Sequence, residues 1–201
     1  MIKAGMSVNE SDGWRTPLTA ACFKGRINVV EVLIEAGADV NLKDESSTPL
    51  TTAREEHNFD IVHKLLKAGA DMNASNENNV LMLSSCLYGS LSVVEELINL
   101  GANINQGDKK YTPLTAACVF GHVNVIEELI KAGADVNLMN EHGDTPLTAA
   151  LDYGHFEVVT KLINAGADGH LSDDILTRLM KLSEKRHSEI YYEDSEYDTT
   201  F

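Results

Sequence analysis

The sequence predicts an all-α protein in which repeated helix pairs stack into a solenoid, and three observations support this prediction. The tripeptide Thr-Pro-Leu begins at Thr16, Thr48, Thr112 and Thr145, and a degenerate copy, Val-Leu-Met, occupies residues 80–82. The successive steps are 32, 32, 32 and 33 residues. The segments between these positions share a pattern of glycines and apolar residues. Self-similarity at a fixed period of about 20–50 residues is the signature of stacked repeats.

Each unit predicts a short first helix that begins at its threonine. In the first unit, Thr16 can cap this helix with its side-chain oxygen. Pro17 occupies the first turn, where the missing N–H leaves no helix hydrogen bond unmade. We expect the helix to end near Gly25.

A second helix follows in each unit. In the first unit its apolar residues Ile27, Val30, Leu33 and Ile34 recur with a period near 3.6, which gives one buried stripe. Gly37 fits a left-handed cap at the end of this helix. The polar, turn-rich link over residues 38–47 predicts a hairpin-like loop to the next unit. The later units place a glycine at the position of Gly37: Gly69, Gly101, Gly133 and Gly166.

The repeated motifs resemble the ankyrin repeat family. Residues 16–41 (TPLTAACFKGRINVVEVLIEAGADVN) and 112–137 (TPLTAACVFGHVNVIEELIKAGADVN) match almost residue for residue. The family pattern combines a TPLHxAA-like first helix, a Gly-His turn, a second helix and GADVN. The resemblance covers residues 16–168 as five units and implies an ankyrin-repeat solenoid of helix-turn-helix units joined by hairpin-like loops.

The chain departs from the family pattern at the histidine after Thr-Pro-Leu. The hydrogen bonds that this imidazole usually makes between loops are therefore expected to be replaced or weaker. The residues that stand there are Thr19, Thr51, Leu83, Thr115 and Thr148.

The repeat alignment also accounts for both ends of the chain. The first nine residues, MIKAGMSVN, align with residues 129–137, LIKAGADVN, so the chain opens as the end of a repeat. Two explanations stay open: a partial capping loop, or an array that once continued upstream. The predicted segments are 1–15 (partial repeat end and loop), 16–47, 48–79, 80–111, 112–144 and 145–171 (five repeats), 172–190 (degenerate C-terminal capping repeat) and 191–201 (acidic flexible tail).

Composition limits the classes of partner. The chain has 16 Lys and Arg against 31 Asp and Glu, a net charge of −15. Such an acidic chain is unsuited to nucleic acid, because phosphate binding depends on Lys and Arg that release counterions. No apolar run approaches the roughly 20 residues that span a bilayer, so we predict no membrane contact and a cytoplasmic location. A basic protein is the expected partner.

No residue pattern predicts catalysis, a metal site or a cofactor. Cys22, Cys86 and Cys118 occupy one equivalent position on the first helices, which predicts small buried hydrophobic residues. His122 and His155 belong to the Gly-His turns, where helix capping is the expected role. His57 replaces the turn glycine of its unit and predicts a distorted turn there.

The aromatic residues predict a binding surface. Tyr88, Phe120 and Tyr153 stand at one equivalent position, just before the turn glycine, in units three to five. This position should face the inner, concave side of the solenoid, where such proteins bind partners, and aromatic residues are enriched in binding hot spots. The alternative is that these rings form partial core against their own second helices. The predicted partner-binding residues are Trp14, Phe23, Tyr88, Tyr111, Phe120 and Tyr153.

The equivalent residues of unit two are charged. Residues 54–57 (REEH) replace the small and aromatic residues there, so the aromatic stripe should give way to an acidic patch. A partner that is apolar at one end and basic at the other would fit this surface.

These observations predict a non-catalytic protein–protein interaction module that uses its concave surface and loop tips. The net charge of −15 suggests an acidic inhibitor that covers a basic partner. The alternative is a structural segment or scaffold of a longer ankyrin array. The chain is expected to be a monomer unless the uncapped N-terminal face self-associates.

Overall fold

The computed structural model describes residues 7–11, 13–45, 47–72 and 78–167, and within these ranges it contains ten α-helices and no strand. This confirms the predicted all-α solenoid of helix pairs. The predicted capping repeat at 172–190 and the acidic tail at 191–201 lie outside the described residues. The helices are α1 (Pro17–Phe23), α2 (Ile27–Glu35), α3 (Pro49–Glu55), α4 (Phe59–Lys67), α5 (Asn78–Tyr88), α6 (Leu91–Asn99), α7 (Pro113–Phe120), α8 (Val123–Lys131), α9 (Pro146–Asp152) and α10 (Phe156–Asn164).

Threonine caps fix the start of four first helices. Thr16 has extended backbone angles, and its side-chain oxygen accepts the Thr19 N–H at 3.1 Å. The proline that follows has a φ suited to the first turn and needs no donor there. Helices α3, α7 and α9 begin in the same way, as predicted, from Thr48, Thr112 and Thr145.

Helix α5 shows what the threonine and proline control. Unit three has Val80 and Leu81 in their places, and α5 begins earlier, at Asn78, before the predicted unit boundary at residue 80. At these positions unit three has neither an N-cap residue in extended conformation nor a proline in the first turn. No local signal therefore stops α5 from extending toward the N-terminus past the usual start. The helix therefore runs to 11 residues, where α1 has 7.

Each second helix ends in the predicted left-handed glycine. Gly37 has φ 84°, its N–H bonds to the Ile34 carbonyl at 2.9 Å, and the Ala38 N–H bonds to the Leu33 carbonyl at 2.9 Å. These two bonds form a Schellman motif, which satisfies carbonyls that the helix leaves open. The equivalent glycines have φ between 79° and 92°: Gly69, Gly101, Gly133 and Gly166.

The core is one continuous layer between the first and second helices of the five units. Second helices contribute a β-branched residue at each level, from Val30 to Val159, and first helices contribute Leu18, Leu50, Met82, Leu114 and Leu147 at one equivalent position. Each fully buried leucine contributes roughly 2 kcal/mol through removal of apolar surface from water.

The packing between units gives the array its inner face. First helices contact each other more extensively than second helices do at three junctions: α1 with α3, α5 with α7, and α7 with α9. At these junctions the first helices form the more closely packed side of the array. We call the surface formed by the C-terminal residues of the first helices and the loops between units the inner face.

The threonine that replaces the family's histidine makes only local hydrogen bonds. The buried Thr19 hydroxyl donates to the Thr16 carbonyl at 3.1 Å, within its own unit. At the turns, bonds to the preceding unit come instead from the residue before α4, α8 and α10. Asn58 Nδ2 donates to the Cys22 carbonyl at 3.3 Å, and His122 Nε2 lies 2.9 Å from the Leu87 carbonyl oxygen.

The turn histidines cap a helix as expected, but it is the first helix of the preceding unit. Neither His122 nor His155 caps the helix that follows it with its side chain. His155 Nε2 instead lies 3.0 Å from the Val119 carbonyl oxygen of the preceding unit. That carbonyl belongs to the last turn of a helix and lacks an intrahelical partner, so the imidazole links two units.

His57 adopts the turn conformation of the glycines it replaces, so the predicted distortion is wrong. Its φ is 56°, against 62° at Gly25 and 71° at Gly89. A Cβ atom at Gly89 would lie 2.5 Å from His122 Nδ1 in the next unit. One unit after His57, the position equivalent to His122 holds the smaller Ser90, and a smaller residue there is consistent with a side chain at position 57.

A hydrogen-bond ladder connects the loops. Asn41 Oδ1 accepts the Asp71 N–H at 2.7 Å, and Asn105 Oδ1 accepts the Asp135 N–H at 2.9 Å. Asn9 Oδ1 accepts the Asp39 N–H at 2.9 Å. Asn9 therefore holds the place in this ladder that Asn41 and Asn105 hold in later units.

Candidate protein-binding surface

Three aromatic side chains project from equivalent positions on the inner face. Tyr88 and Phe120 are the last residues of α5 and α7, and Tyr153 is the residue that ends α9. Their side chains are 53%, 53% and 59% exposed. More than half of each residue is open to solvent, so these rings are not core residues.

The three rings differ in their neighbours. Tyr88 stacks on His57 with 4.4 Å between ring centroids, and its hydroxyl lies 3.2 Å from His57 Nε2. Phe59 lies 5.3 Å from the same ring. Phe120 stacks on His122 of its own unit at 6.0 Å. The sequence did not lead us to expect the His57 ring at this surface. The signal that could have indicated it is that His57 replaces the turn glycine of its unit.

Phe23, one of the predicted contact residues, lies beside two basic side chains. The Arg15 guanidinium lies 3.7 Å from the centre of the Phe23 ring, and Lys24 Nζ lies 5.0 Å from it. Trp14 is 77% exposed. Phe23 is therefore already covered by cations of its own chain, at a distance typical of cation–π contacts.

Unit two presents the acidic side chains that its sequence predicts. Glu55 and Glu56 are exposed, and Glu55 pairs with Arg54 at 3.4 Å. The aromatic surface extends one ring beyond unit three, through His57, before it reaches these carboxylates.

A cavity of about 180 Å³ opens on the inner face between units four and five. Tyr111 and Tyr153 line it, with Thr115, Val119 and Ala149 between them. Tyr111 is partly buried and packs against the core. The loop tips complete the lining with Lys110, Asn140, His142 and Asp144, and the end of α9 adds Asp152.

Asn140 holds the rim of this cavity in place. Its Nδ2 donates to the Lys110 carbonyl at 2.6 Å and to Asp144 Oδ2 at 2.9 Å. Its Oδ1 accepts the N–H groups of His142 and Asp144, both at 2.9 Å. This loop, residues 138–144, contains the extra residue of the 33-residue step. Sequence reasoning did not single it out, although the longer step marks it.

Lys110 places a cation in the cavity. Its ammonium lies 4.8 Å from the centre of the Tyr111 ring, and a hydrogen bond to Tyr111 raises the pKa of Lys110. The cavity thus combines an ammonium, two phenol rings and two carboxylates.

The family model for ankyrin repeats (three copies) matches residues 1–76 and 78–173. The chain belongs to the ankyrin repeat family. No curated protein matches it significantly. Ankyrin repeats generally mediate protein–protein interactions and are typically non-catalytic.

The cysteines of this ankyrin array are buried in its core as free thiols. Burial raises the pKa of Cys22 to about 12 and raises those of Cys86 and Cys118 further. The thiolate is the reactive form of cysteine, so at neutral pH these side chains act as small apolar residues.

Two kinds of site are absent from the residues that the structure describes. In that part of the chain, no group of three or more His, Cys, Asp and Glu side chains is arranged to hold a metal ion. No helix there has the length and apolar character to cross a membrane.

Proposed function

We propose that this ankyrin array binds another protein through its inner face and performs no catalysis. The observation that carries the proposal is the exposure of three rings, Tyr88, Phe120 and Tyr153, at one repeated position. Rigid aromatic side chains supply contact area with little loss of rotamer entropy, and they dominate many interfaces. The six predicted residues, Trp14, Phe23, Tyr88, Tyr111, Phe120 and Tyr153, form the proposed contact set.

The proposed partner has a surface that is both apolar and basic. Apolar side chains would cover the rings of units three to five, and basic side chains would meet Glu55 and Glu56 of unit two. The net charge of −15 would also accelerate the encounter with a basic protein. One form of this function is an acidic inhibitor that covers the basic site of its partner.

The test compares two triple variants as bait in native lysate. The first carries Tyr88→Ala, Phe120→Ala and Tyr153→Ala. The matched control carries Val32→Ala, Phe156→Ala and Ile163→Ala, which removes three partly exposed apolar side chains from second helices. Both must keep the helical circular dichroism of the wild type.

We expect the wild type and the control to retain one and the same protein, and the inner-face variant to lose it. If both variants retain the protein equally, the binding site does not depend on these three rings. The dissociation constant should also rise with salt, since charge-driven association weakens as the Debye length shrinks. A dissociation constant that does not change with salt concentration would contradict a basic partner and the inhibitor role.

A further inference from the structure

The cavity between units four and five has the size of a single side chain. Its volume is about 180 Å³, whereas pockets for small-molecule ligands measure roughly 300–1,000 Å³. At about 30 Å³ per molecule in the liquid, about six waters would fill it. The cavity therefore fits one long side chain of a partner better than a cofactor or metabolite.

The walls of the cavity are suited to a cation. Tyr111 and Tyr153 provide two aromatic rings, whose faces carry negative potential. Asp144 and Asp152 add two exposed carboxylates at the same opening. Lys110 supplies one positive charge, so the formally charged groups at the rim sum to net negative.

The chain already places cations against aromatic rings of the inner face. Lys110 lies over Tyr111 at 4.8 Å, and Arg15 lies over Phe23 at 3.7 Å. Tyr153 is 59% exposed, which leaves its ring accessible to a cation from outside.

From this geometry we propose that the cavity receives an arginine side chain of the protein partner. The inference rests on the proposed function and names the anchor of that interaction. A guanidinium is planar, so it can stack on the Tyr153 ring while its fork of N–H groups donates to the Asp152 carboxylate. An ammonium can make only one of these two contacts well, so arginine is favoured over lysine.

The test is a titration of the ¹⁵N-labelled full chain with N-acetyl-arginine amide, followed by amide chemical shifts. N-acetyl-citrulline amide, which has nearly the same shape without the charge, is the control probe. N-acetyl-lysine amide and N-acetyl-glutamate amide complete the series. We expect saturable shifts at Tyr111, Thr115, Ala149 and Tyr153 with the arginine probe and none with citrulline.

Two variants locate the site. Asp152→Asn should weaken the binding of the arginine probe about three- to fivefold, the range for a partly exposed charge pair. Glu95→Gln removes one equal charge from the exposed surface of α6 and should leave the affinity within about 1.5-fold, because it lies outside the cavity and is screened.

Several outcomes would overturn this inference. Equal binding of the arginine and citrulline probes, or equal effects of the two variants, would show that binding in the cavity does not depend on the positive charge of the probe. Lysine as good as arginine would remove the preference for a guanidinium, and a response to the glutamate probe at Lys110 would assign the cavity to an anion.

The result is separable from the proposed function. If the arginine probe fails while the inner-face triple variant still loses its partner, protein binding stands and only the anchor is wrong. If the probe binds while both triple variants retain the partner equally, the cavity is real but the rings are not the interface.

Discussion

At the residue scale, the turn between the two helices of a unit depends on a pair of positions in neighbouring units. The first position has a left-handed backbone conformation with positive φ, and glycine occupies it in four units. The second position, one unit later, holds Asn58, His122 or His155. His57 is tolerated at the first position where the second is Ser90. A bulky residue in one unit therefore requires a small one in the next.

This pairing predicts that Gly89→Ala is severely destabilising. The new Cβ would clash with the His122 ring at 2.5 Å, in addition to adopting φ 71°. We expect a loss of roughly 2–5 kcal/mol, since left-handed strain accounts for about 1–2 kcal/mol and overpacking adds about 1–3 kcal/mol. The measurement is the midpoint of urea unfolding.

Two comparisons isolate the clash. Gly154→Ala occupies the same turn position, with φ 76° and no atom of the described residues within 4 Å of its Cβ, so against these residues it should cost only the strain, about 1–2 kcal/mol. The double variant Gly89→Ala with His122→Ser should recover part of the loss in a double-mutant cycle. Purely additive effects would mean that the two positions are not coupled.

At the element scale, ion pairs between second helices link the units on the outer side. Lys64 pairs with Glu31 at 2.7 Å, and both side chains are well exposed, at 45% and 41%. Lys67 pairs with Glu96 at 3.0 Å, and the Glu96 side chain is only 11% exposed. Exposed pairs contribute little, whereas a nearly buried carboxylate that loses its partner is costly.

These exposures predict different effects of two equivalent substitutions. Lys67→Met should destabilise the protein by about 1.5 kcal/mol, the lower end of the range for a hydrogen bond to a charged group, because the lysine end of this pair is exposed. Lys64→Met, which keeps the same apolar stem, should have the smaller effect. Chemical denaturation of both variants decides the order, and a larger loss for Lys64→Met would contradict this account of burial.

At the scale of the whole molecule, charge opposes compaction. The chain carries a net charge of −15, and a strong net charge destabilises a folded protein through self-repulsion. Added salt should therefore stabilise the fold, because it screens repulsion between distant carboxylates more than it weakens contact pairs.

This predicts a rise in the thermal midpoint with salt. From about 10 mM to about 150 mM NaCl the Debye length falls from about 30 Å to about 8 Å. We expect an increase of about 2–4 °C, which corresponds to about 1 kcal/mol for a chain of this size. The variant Glu55→Gln with Glu56→Gln should show a smaller rise. A midpoint that falls with salt would mean that the ion pairs between units dominate.

The helices and their ends follow from short stretches of sequence. Thr16 and Pro17 start α1 because the cap and the first turn are satisfied within three residues, and Gly37 ends α2 through bonds that reach back only five residues. The repeat of these signals was enough to predict the fold class and the exposure of Tyr88, Phe120 and Tyr153. That these rings bind a partner stays a prediction.

By itself, then, the sequence determined the helix pairs, their period and the repeated aromatic position, because local hydrogen bonds and backbone preferences decide these features. Only the tertiary structure decided what meets across units about 30 residues apart. It placed His57 against Tyr88, turned His122 toward the Leu87 carbonyl, and formed a cavity between Tyr111 and Tyr153. These contacts depend on the stacking of neighbouring repeats, which a local pattern cannot specify, and they give one array its particular surface.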